Sequence, residues 1–314
     1  MSKKVLSVLL FLLLVGMGYV YIPRFWYPPD KVRVTIYSGM SAQKVAGILK
    51  KEGIIKSTAP FLYWLAIKGA ASRIKAGTYE IFPQSSLNSI VKKIVEGRTL
   101  QVKVTIPEGY TARQIASILG EKGVADKEKF LKIVERKNME GYLFPETYFF
   151  PLNISEEEIV KVMNREFEKN FSPWIRERAK KYNFTERDVV ILASLIEREA
   201  KTDEERRIVS AVFHNRLKKR WRLESCATVQ YAMGKWKSRL YQKDLKIDSP
   251  YNTYKHFGLP PGPIANPGLA SLEAAVTPAD TDAMFFVADG EGTHIFSKYL
   301  AEHIKNKKTL KKRR

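Results

Sequence analysis

Residues 189–201 read VVILASLIEREAK, an almost unbroken apolar run that ends in two glutamates, Glu197 and Glu199. The length of the run, the Asp188 ahead of it and the lack of Gly and Pro predict a helix. On that helix Glu197 lies among small and apolar residues, where poor solvation raises the pKa of a carboxyl group and suits it to proton donation. A surface pair of Glu197 with Lys201 is the alternative. Because the helix is apolar on nearly every side, periodicity does not choose between the two glutamates.

The composition limits the class of protein. A chain of 314 residues fits two or three domains. Its formal net charge of +21 indicates anionic surroundings: nucleic acid, a phospholipid surface or an anionic polymer. The single cysteine, Cys226, excludes an intramolecular disulfide, and we expect it to be a packed thiol. The four histidines are scattered and form no metal-ligand spacing, so neither a metal nor a cofactor is expected.

The N-terminal segment predicts a membrane anchor. Residues 5–22 are uncharged and apolar, and as a helix they would span roughly 27 Å, just enough for a bilayer core. Aromatic residues 25–27 follow, as is typical of a membrane interface. A cleaved signal peptide would have a shorter apolar region and a small-residue cleavage site. Lys3 and Lys4 place the N-terminus in the cytoplasm and the remaining chain outside, which argues against nucleic acid as a partner.

An internal repeat follows the anchor. Residues 32–55 (VRVTIYSGMSAQKVAGILKKEGII) and residues 102–125 (VKVTIPEGYTARQIASILGEKGVA) align at an offset of 70 without a gap. Each copy predicts an alternating strand, a glycine turn, an amphipathic helix with Ser41 or Thr111 near its N-cap, and a glycine stop. Such a module resembles a LysM-like carbohydrate-binding unit. A duplicated structural module without a ligand remains equally open.

The rest of the chain predicts further helices, a hairpin and two irregular stretches. Residues 140–151 (EGYLFPETYFFP) are too irregular for a helix and serve either as core packing or as an aromatic platform for sugars. Residues 249–254 and 258–268 are so rich in Pro and Gly that they form a rigid loop. A strand is predicted over 75–81, helices over 87–96, 155–169, 174–182 and 203–218, and a hairpin over 283–297. The basic last ten residues are expected to be a solvated, disordered end.

These motifs in this order resemble the MltG (YceG-like) family of endolytic murein transglycosylases. The segments that carry the resemblance are GYLFPETY, LASLIEREA, VFHNRL, TVQYAMG, SPYNTY, GLPPGPIANPG and FFVADGEGTHIFS, and they extend to about His303. The resemblance implies that the catalytic residue is the first glutamate of the Ala-Ser-hydrophobic-hydrophobic-Glu-x-Glu run, here Glu197. The chain departs from the family at residues 225–227, at Gln230 and at residues 302–304, so the roles of residues 225–230 stay open.

The resemblance implies a lyase that cleaves the β-1,4 bond between N-acetylmuramic acid and N-acetylglucosamine inside peptidoglycan strands. Glu197 would act as general acid and then as general base, the C6 hydroxyl would attack C1, and 1,6-anhydro ends would remain. The expected partners are peptidoglycan glycan strands, plasma membrane lipid and peptidoglycan synthases (penicillin-binding proteins), with a role in ending glycan elongation. The alternative is a non-catalytic peptidoglycan-binding membrane protein. A basic nucleic-acid binder is supported only by the net charge.

Several other residues are candidates for the site. Asn215 is a polar residue in an apolar stretch, and is either a satisfied buried amide or a sugar ligand. The candidate substrate-binding residues are Asn215, Gln230, Tyr251, Asn252, Tyr254 and Asn266. Residues expected to support the catalytic glutamate are Glu199, Glu146 and Tyr148, and for Glu199 the alternative is an ordinary surface residue.

The predicted architecture is α+β, with an N-terminal transmembrane helix, LysM-like modules and a mixed helical and β catalytic domain. The expected boundaries are an anchor over 1–28, a LysM-like module over 29–100, a second repeat with the aromatic connector over 101–152, a catalytic domain over 153–304 and a basic tail over 305–314. The predicted location is the plasma (inner) membrane, crossed once, with a cytoplasmic N-terminus and an extracytoplasmic, or periplasmic, catalytic domain.

Overall fold

The computed structural model describes residues 30–83, 85–237 and 240–313. It has mixed helices and strands, as the sequence predicts. The chain divides into two compact units, residues 1–101 with 151–153 and residues 102–150 with 154–314. The predicted membrane helix over residues 5–22 lies outside the described residues. None of the helices that are described is both long and apolar enough to cross a bilayer.

The first unit contains a two-stranded sheet and three helices. Strand β1 (Val32–Ile36) pairs antiparallel with β2 (Gly77–Ile81). Helices α1 (Ala42–Lys51) and α2 (Thr58–Ile67) connect the two strands, and α3 (Leu87–Glu96) follows them. Apolar side chains from all five elements form one buried core. The strand and helix predicted over 75–81 and 87–96 are confirmed, whereas α2 was not predicted.

The second copy of the repeat has the same order of elements. Strand β3 (Gln101–Thr105) pairs with β4 (Thr147–Pro151), and α4 (Ala112–Glu121) and α5 (Lys127–Arg136) lie between them. Strand β4 occupies the second half of residues 140–151, for which the sequence predicted that no helix forms but did not predict a strand. Its side chains alternate between buried and exposed positions, which the density of aromatic residues in the sequence concealed.

The ends of the helix that each repeat predicts are confirmed. The Ser41 side chain accepts a hydrogen bond from a backbone N–H of the first turn of α1. Thr111 does the same for α4 and forms a reciprocal capping box with Gln114. After each helix the chain turns at a glycine with positive φ, 70° at Gly53 and 67° at Gly123, a conformation that glycine adopts at little cost.

The second unit also contains a group of helices around the apolar stretch 189–201. They are α6 (Glu156–Asn170), α7 (Pro173–Lys180), α8 (Glu186–Glu199), α9 (Asp203–Lys218) and α10 (Cys226–Ala232). Helix α8 confirms the predicted central helix, and its residues 189–196 are all buried. It begins three residues earlier than the apolar run because Thr185 and Asp188 form a capping box.

The C-terminal part of this unit adds a helix, a hairpin and a final helix. Helix α11 (Leu269–Val276) packs on α8, and β5 (Phe285–Ala288) pairs antiparallel with β6 (His294–Ser297), so the predicted hairpin is confirmed. The prediction of a disordered basic tail is wrong, because helix α12 (Leu300–Arg313) runs through it and contacts both hairpin strands. The buried Leu310 holds the tail against the protein despite its charge.

Candidate functional site

Glu197 lies in the last turn of α8 with 6% of its side chain exposed. Its Oε1 atom is 3.4 Å from Nη2 of Arg206 on α9, and its Oε2 atom accepts a hydrogen bond of 2.9 Å from the N–H of Gly268. These surroundings are more polar than the apolar helix face that the sequence predicts. Among the ion pairs of the described residues, Glu197 pairs with Arg206 and not with Lys201. Two donors therefore hold the carboxylate in one orientation.

Arg206 connects several groups around Glu197. Its side chain is 10% exposed and lies 3.8 Å from Oε2 of Glu108, and its Nε donates to the Ser271 hydroxyl at 3.1 Å. It also pairs with Asp203 one turn earlier on α9. Burial, and then the negative charge of Glu197, raises the pKa of Glu108. Glu108 is thus a second carboxyl group beside Glu197, on the loop that precedes α4.

Two glycines allow the backbone to approach these carboxylates closely. A Cβ atom on Gly109, whose φ is 73°, would lie 3.4 Å from Cγ of Glu197. A Cβ atom on Gly268 would lie 1.8 Å from Oε1 of Glu108, so glycine is required there unless Glu108 moves. Gly109 donates its N–H to the Asn266 carbonyl, and Asn266 donates its own N–H to the Tyr110 carbonyl, both at 2.9 Å. The loops 108–110 and 266–268 are therefore bonded to each other around Glu197.

A cavity of about 440 Å³ lies next to the end of α8. Arg198 lines it, and its Nη1 donates to the Gly109 carbonyl at 3.0 Å while its guanidinium lies 4.3 Å from the centre of the Trp236 ring. Glu197 itself is not among the lining residues. The cavity is lined by Thr111, Arg113, Gln114, Glu140, Arg198, Ala227, Gln230, Tyr231, Ala232, Met233, Gly234, Lys235, Trp236 and Ile264.

Glu140 is the acidic residue of this cavity. Its carboxylate accepts the N–H of Ala112 at 3.0 and 3.2 Å, an amide N–H of Asn266 at 3.1 Å, and the Tyr231 hydroxyl at 3.5 Å. Burial raises the pKa of Glu140 to about 7, against the effect of these hydrogen bonds. Glu140 and Glu197 are attached to the same loop, Glu140 through Asn266 and Glu197 through Gly268.

Glu199 occupies different surroundings from Glu197. Its Oε1 atom accepts a 2.5 Å hydrogen bond from the Ser225 hydroxyl. Burial raises the pKa of Glu199, while the hydrogen bonds from Ser225 and from the Ala227 backbone act in the opposite direction. The bond from Ser225 fixes the start of α10 to the end of α8. None of these contacts is with Glu197, so a supporting role for Glu199 stays a prediction, whereas the alternative of a surface residue is wrong because the carboxyl group of Glu199 is buried.

Three predicted sugar-binding asparagines are engaged within the protein. Asn215 donates to the carbonyls of Thr281 and Ala283, at 2.8 and 3.0 Å. Asn252 is fully buried, with both amide hydrogens donated to loop carbonyls. Asn266 is also fully buried, and it donates to Tyr110 and Glu140 and accepts from the N–H of Leu143. These contacts favour a structural role, which for Asn215 was the alternative.

The other predicted residues fall in three places. Gln230 lines the cavity and accepts the N–H of Lys237 at 2.6 Å, and Tyr251 lies 4.9 Å from the Tyr231 ring. Tyr254 lies near Glu199, with its hydroxyl 3.2 Å from Sγ of Cys226. Cys226 is exposed, so the expectation of a packed thiol is wrong. It is the first residue of α10, where the chain is still at the surface.

The last two predicted residues lie on and before β4. Glu146 is exposed and accepts the N–H of Thr147. Tyr148 is buried, stacks on Phe150 and donates its hydroxyl to the Phe144 carbonyl. Neither residue forms a hydrogen bond or an ion pair with Glu197.

Sequence reasoning missed Glu108, Glu140 and Arg206. The first two share a signal, since each precedes a glycine with positive φ, Gly109 or Gly141. A Cβ atom on Gly141 would lie 2.5 Å from Cβ of Pro263, so this turn also packs against the loop beside Glu197. Within the described residues no group of three or more His, Cys, Asp or Glu side chains could hold a metal ion.

Several known proteins and one family model are similar to this chain. The sequence model of the YceG-like family matches residues 34–309. A Bacillus subtilis protein named endolytic murein transglycosylase is 37% identical over 94% of this chain and 90% of its own length. A Streptococcus pneumoniae protein of the same name is 30% identical over 96% of this chain, which spans 64% of that protein. A crystal structure of a YceG-like protein from Listeria monocytogenes is 35% identical, with a TM-score of 0.58 over 88% of this chain and 99% of that one.

Proposed function

This chain belongs to the YceG-like family, and we propose that it is a membrane-anchored endolytic murein transglycosylase. By this proposal it is a lyase that cleaves the β-1,4 bond between N-acetylmuramic acid and N-acetylglucosamine inside peptidoglycan strands. It leaves 1,6-anhydro ends and uses no cofactor. Proteins of that name align with nearly the whole chain. The observation that carries the proposal is the carboxylate of Glu197, which is held by Arg206 and Gly268 one residue before the cavity-lining Arg198.

In the proposed reaction Glu197 supplies both the acid and the base. Its protonated form donates to the oxygen that bridges the two sugars, and the bond from that oxygen to C1 breaks. The C6 hydroxyl of the same muramic sugar then attacks C1, and its proton passes to Glu197, which regains its starting form. No water is consumed. Most glycosidases need two carboxylates, whereas intramolecular attack requires one residue that acts twice.

The contacts of Glu197 suit the second half of this cycle. After proton donation the residue is a carboxylate, and the Arg206 guanidinium and the Gly268 N–H are donors aimed at its two oxygens. The carboxylate then stays oriented until the C6 proton arrives. By this proposal the Pro/Gly-rich loop 258–268, whose Gly268 N–H contacts Glu197, also limits entry of water, which would otherwise compete with the C6 hydroxyl.

The decisive test is the Glu197→Gln variant on purified sacculi. The amide is nearly isosteric but neither donates nor takes back the proton, so cleavage should fall on the order of 10² to 10⁴-fold. Glu204→Gln, on an exposed position of α9, is the matched control and should cleave as the wild type does. Glu199→Gln should have a milder effect than Glu197→Gln. Folding of each variant is checked by circular dichroism.

The products distinguish the remaining possibilities. Mass spectrometry of the wild-type digest should find ends one water lighter than hydrolysis products and resistant to borohydride reduction. Reducing ends would make the protein a hydrolase. Unchanged turnover in Glu197→Gln would exclude this glutamate as the catalytic residue. Wild-type protein that binds sacculi without cleaving them would favour the non-catalytic alternative.

The proposed location follows from residues 1–28. We expect one uncleaved membrane helix, with the rest of the chain outside the cytoplasm, where nascent strands and their synthases (penicillin-binding proteins) also lie. Cleavage there would end the elongation of a strand. A C-terminal alkaline phosphatase fusion should be active, and an inactive fusion or a mature N-terminus beginning after Tyr21 would contradict this topology. In-cell cross-linking should recover the synthases.

The strand–helix–helix–strand modules are proposed to bind glycan as LysM-like units do. The first module consists of β1, α1, α2 and β2. A variant that lacks residues 32–96 removes this module together with α3. If this module binds glycan, its deletion should weaken pull-down by sacculi while cleavage of short soluble strands continues. Equal pull-down by the shortened and complete proteins would leave the module a purely structural role.

A further inference from the structure

The cavity beside α8 has an excess of positive charge. Three of its lining residues, Arg113, Arg198 and Lys235, are cations, and one, Glu140, is an acid. The Glu140 carboxylate already accepts hydrogen bonds from Ala112, Asn266 and Tyr231. Among the ion pairs found in residues 30–83, 85–237 and 240–313, none includes any of the three cations. Arg198 is partly buried, and an anionic ligand would offset the cost of its burial, while the exposed Arg113 and Lys235 add positive charge at the cavity.

Arg198 is the most constrained of the three cations. Its bond to the Gly109 carbonyl and its position over the Trp236 ring fix the guanidinium at the edge of the cavity. Burial lowers the pKa of Arg198, although an arginine remains charged at neutral pH. Trp236 is 61% exposed, so its ring offers a surface on which a sugar face can stack.

Arg113 extends from the first turn of α4 to the segment after α10. Its Nη1 atom lies 2.7 Å from the place that a Cβ atom of Gly234 would occupy, so a side chain at that position would displace the guanidinium. Gly234 has a φ of 64° and ends the turn after α10. The absence of a side chain at residue 234 therefore leaves room for Arg113 beside Lys235, the next residue.

The cavity is close to the proposed chemistry. A Cβ atom on Gly109 would lie 3.4 Å from Glu197 and 3.5 Å from Arg198, so both side chains pack against the same backbone position. In murein, neutral N-acetylglucosamine alternates with muramic acid, which carries either a free lactyl carboxylate or an anionic stem peptide. A cation one residue after the proton donor can distinguish these two sugars.

We propose that Arg113, Arg198 and Lys235 form a subsite for a carboxylate of the muramic acid residue, and that this subsite selects which of the two alternating glycosidic bonds is presented to Glu197. The inference rests on the proposed function. With the muramic carboxylate in the cavity, C1 and the C6 hydroxyl of that sugar face Glu197. Binding of the neutral sugar in the same place would leave the three cations without a partner, which provides the discrimination.

The test compares three glycan preparations with the full-length wild-type protein. The first is glycan stripped of stem peptides, with free lactyl carboxylates. The second is the same glycan with those carboxylates converted to methyl amides, and the third carries intact stem peptides. Wild-type kcat/KM should be on the order of 10- to 100-fold higher for the carboxylate-bearing strands than for the amide strands. Preference for the first preparation identifies the lactyl carboxylate as the ligand, and preference for the third alone identifies the stem peptide.

Variants then assign this preference to the cavity. Arg113→Gln, and Arg113→Gln combined with Lys235→Gln, should lower kcat/KM on carboxylate-bearing strands on the order of 10- to 100-fold, mainly through KM, and change it little on amide strands. Arg113→Lys should restore part of the loss because it retains the charge. Arg136→Gln, on an exposed position in the last turn of α5, is the matched control and should behave as the wild type.

The outcomes separate this proposal from the proposed function. If the wild type forms 1,6-anhydro ends equally fast on carboxylate and amide strands, the subsite is refuted while the transglycosylase activity stands. An equal fall in kcat/KM of Arg113→Gln on carboxylate and amide strands would also refute the subsite. Such a fall would indicate unfolding, or the loss of a contact that does not depend on the carboxylate. If the wild type forms no 1,6-anhydro ends on any strand, the proposed function itself fails.

Discussion

The two copies of the repeat have the same order of elements but different amino acids at one turn. In the first copy residues 38–44 read SGMSAQK, and in the second copy residues 108–114 read EGYTARQ. A Cβ atom on Gly39 would meet nothing within 4 Å, whereas one on Gly109 would touch Glu197 and Arg198. The second turn contributes Glu108 beside Arg206, and Arg113 to the cavity.

This contrast locates the candidate function at the turn of the second copy. Strands, helices, N-caps and glycine turns are shared by both copies, so the scaffold alone supplies no site. Five of these seven aligned positions differ between the copies, and only the second copy's turn borders Glu197. The following predictions test this contrast, because each pairs a change in one unit with a matched change in the other.

The largest effect on stability is expected at Arg206. Arg206→Met leaves Glu197 without its charged partner at a site where both side chains are nearly buried, and should cost about 3–5 kcal/mol of unfolding free energy. Arg33→Met breaks the pair of Arg33 with Glu80 in the first unit, where the arginine is 71% exposed, and should leave stability close to wild type. Urea unfolding of both variants measures this. Similar losses of unfolding free energy in the two variants would contradict the expected difference between the two units.

The next effect is a dependence of stability on pH with opposite signs in the two units. The pKa of Glu140 is raised to about 7 from an ordinary 4.5, so between these values the folded protein binds more protons than the unfolded chain. Stability should therefore fall as pH rises through this window, by on the order of 3 kcal/mol. The Arg33 hydrogen bond lowers the pKa of Glu80, so that pair stabilises above the ordinary pKa and is lost as pH falls.

Urea unfolding between pH 4 and pH 8 checks both signs. Glu140→Gln should flatten the decline of stability toward pH 7, and Glu80→Gln should remove part of the loss at low pH. Parallel pH profiles for the wild type and Glu140→Gln would show that Glu140 does not titrate in this range.

The smallest effect on stability compares the two turn glycines. Gly39→Ala and Gly109→Ala both place a side chain at positive φ, 79° and 73°, and each should cost about 1–2 kcal/mol. Only Gly109→Ala should also lower cleavage of peptidoglycan, by about tenfold or less, because only its strained turn is in contact with Glu197 and Arg198 and would shift them. Thermal melts and sacculus digests of the pair measure this. Equal cleavage by the two variants would remove the functional contrast between the copies.

Much of the fold could be predicted because the local pattern was strong. The run 189–196 is buried on every side, as its lack of charged residues predicts, and the sequence of each repeat contains the residues that cap its helix and form its turns. Strand β4 was missed because its aromatic residues suggested a platform, although Tyr148 and Phe150 face the core. Helix α12 was missed because the many basic residues of the tail predicted a disordered end, and the single leucine that packs, Leu310, gave too weak a signal.

The candidate site was less predictable from local pattern. The assignment of Glu197 came from the family resemblance, because the buried helix gives no periodic signal that separates it from Glu199. Its partner Gly268 and the neighbouring Glu108 lie on loops remote from it in sequence, and no pattern in α8 predicts them. The asparagines of the Pro/Gly loop were expected to face substrate, yet Asn252 and Asn266 are buried and bonded to the backbone, since a loop with few regular hydrogen bonds needs side chains to satisfy its carbonyls.

The bonds that join Asn266 to the turn at Tyr110 span 156 positions of the chain. Any N-terminal part of the chain that stops short of residue 266 contains Tyr110 and Glu197 but lacks their loop partners, Asn266 and Gly268. In such a part the glutamate has no Gly268 N–H to orient its carboxylate. The surroundings of Glu197 are therefore completed only after more than four fifths of the chain has been synthesised, because residue 268 of 314 supplies one of its two donors.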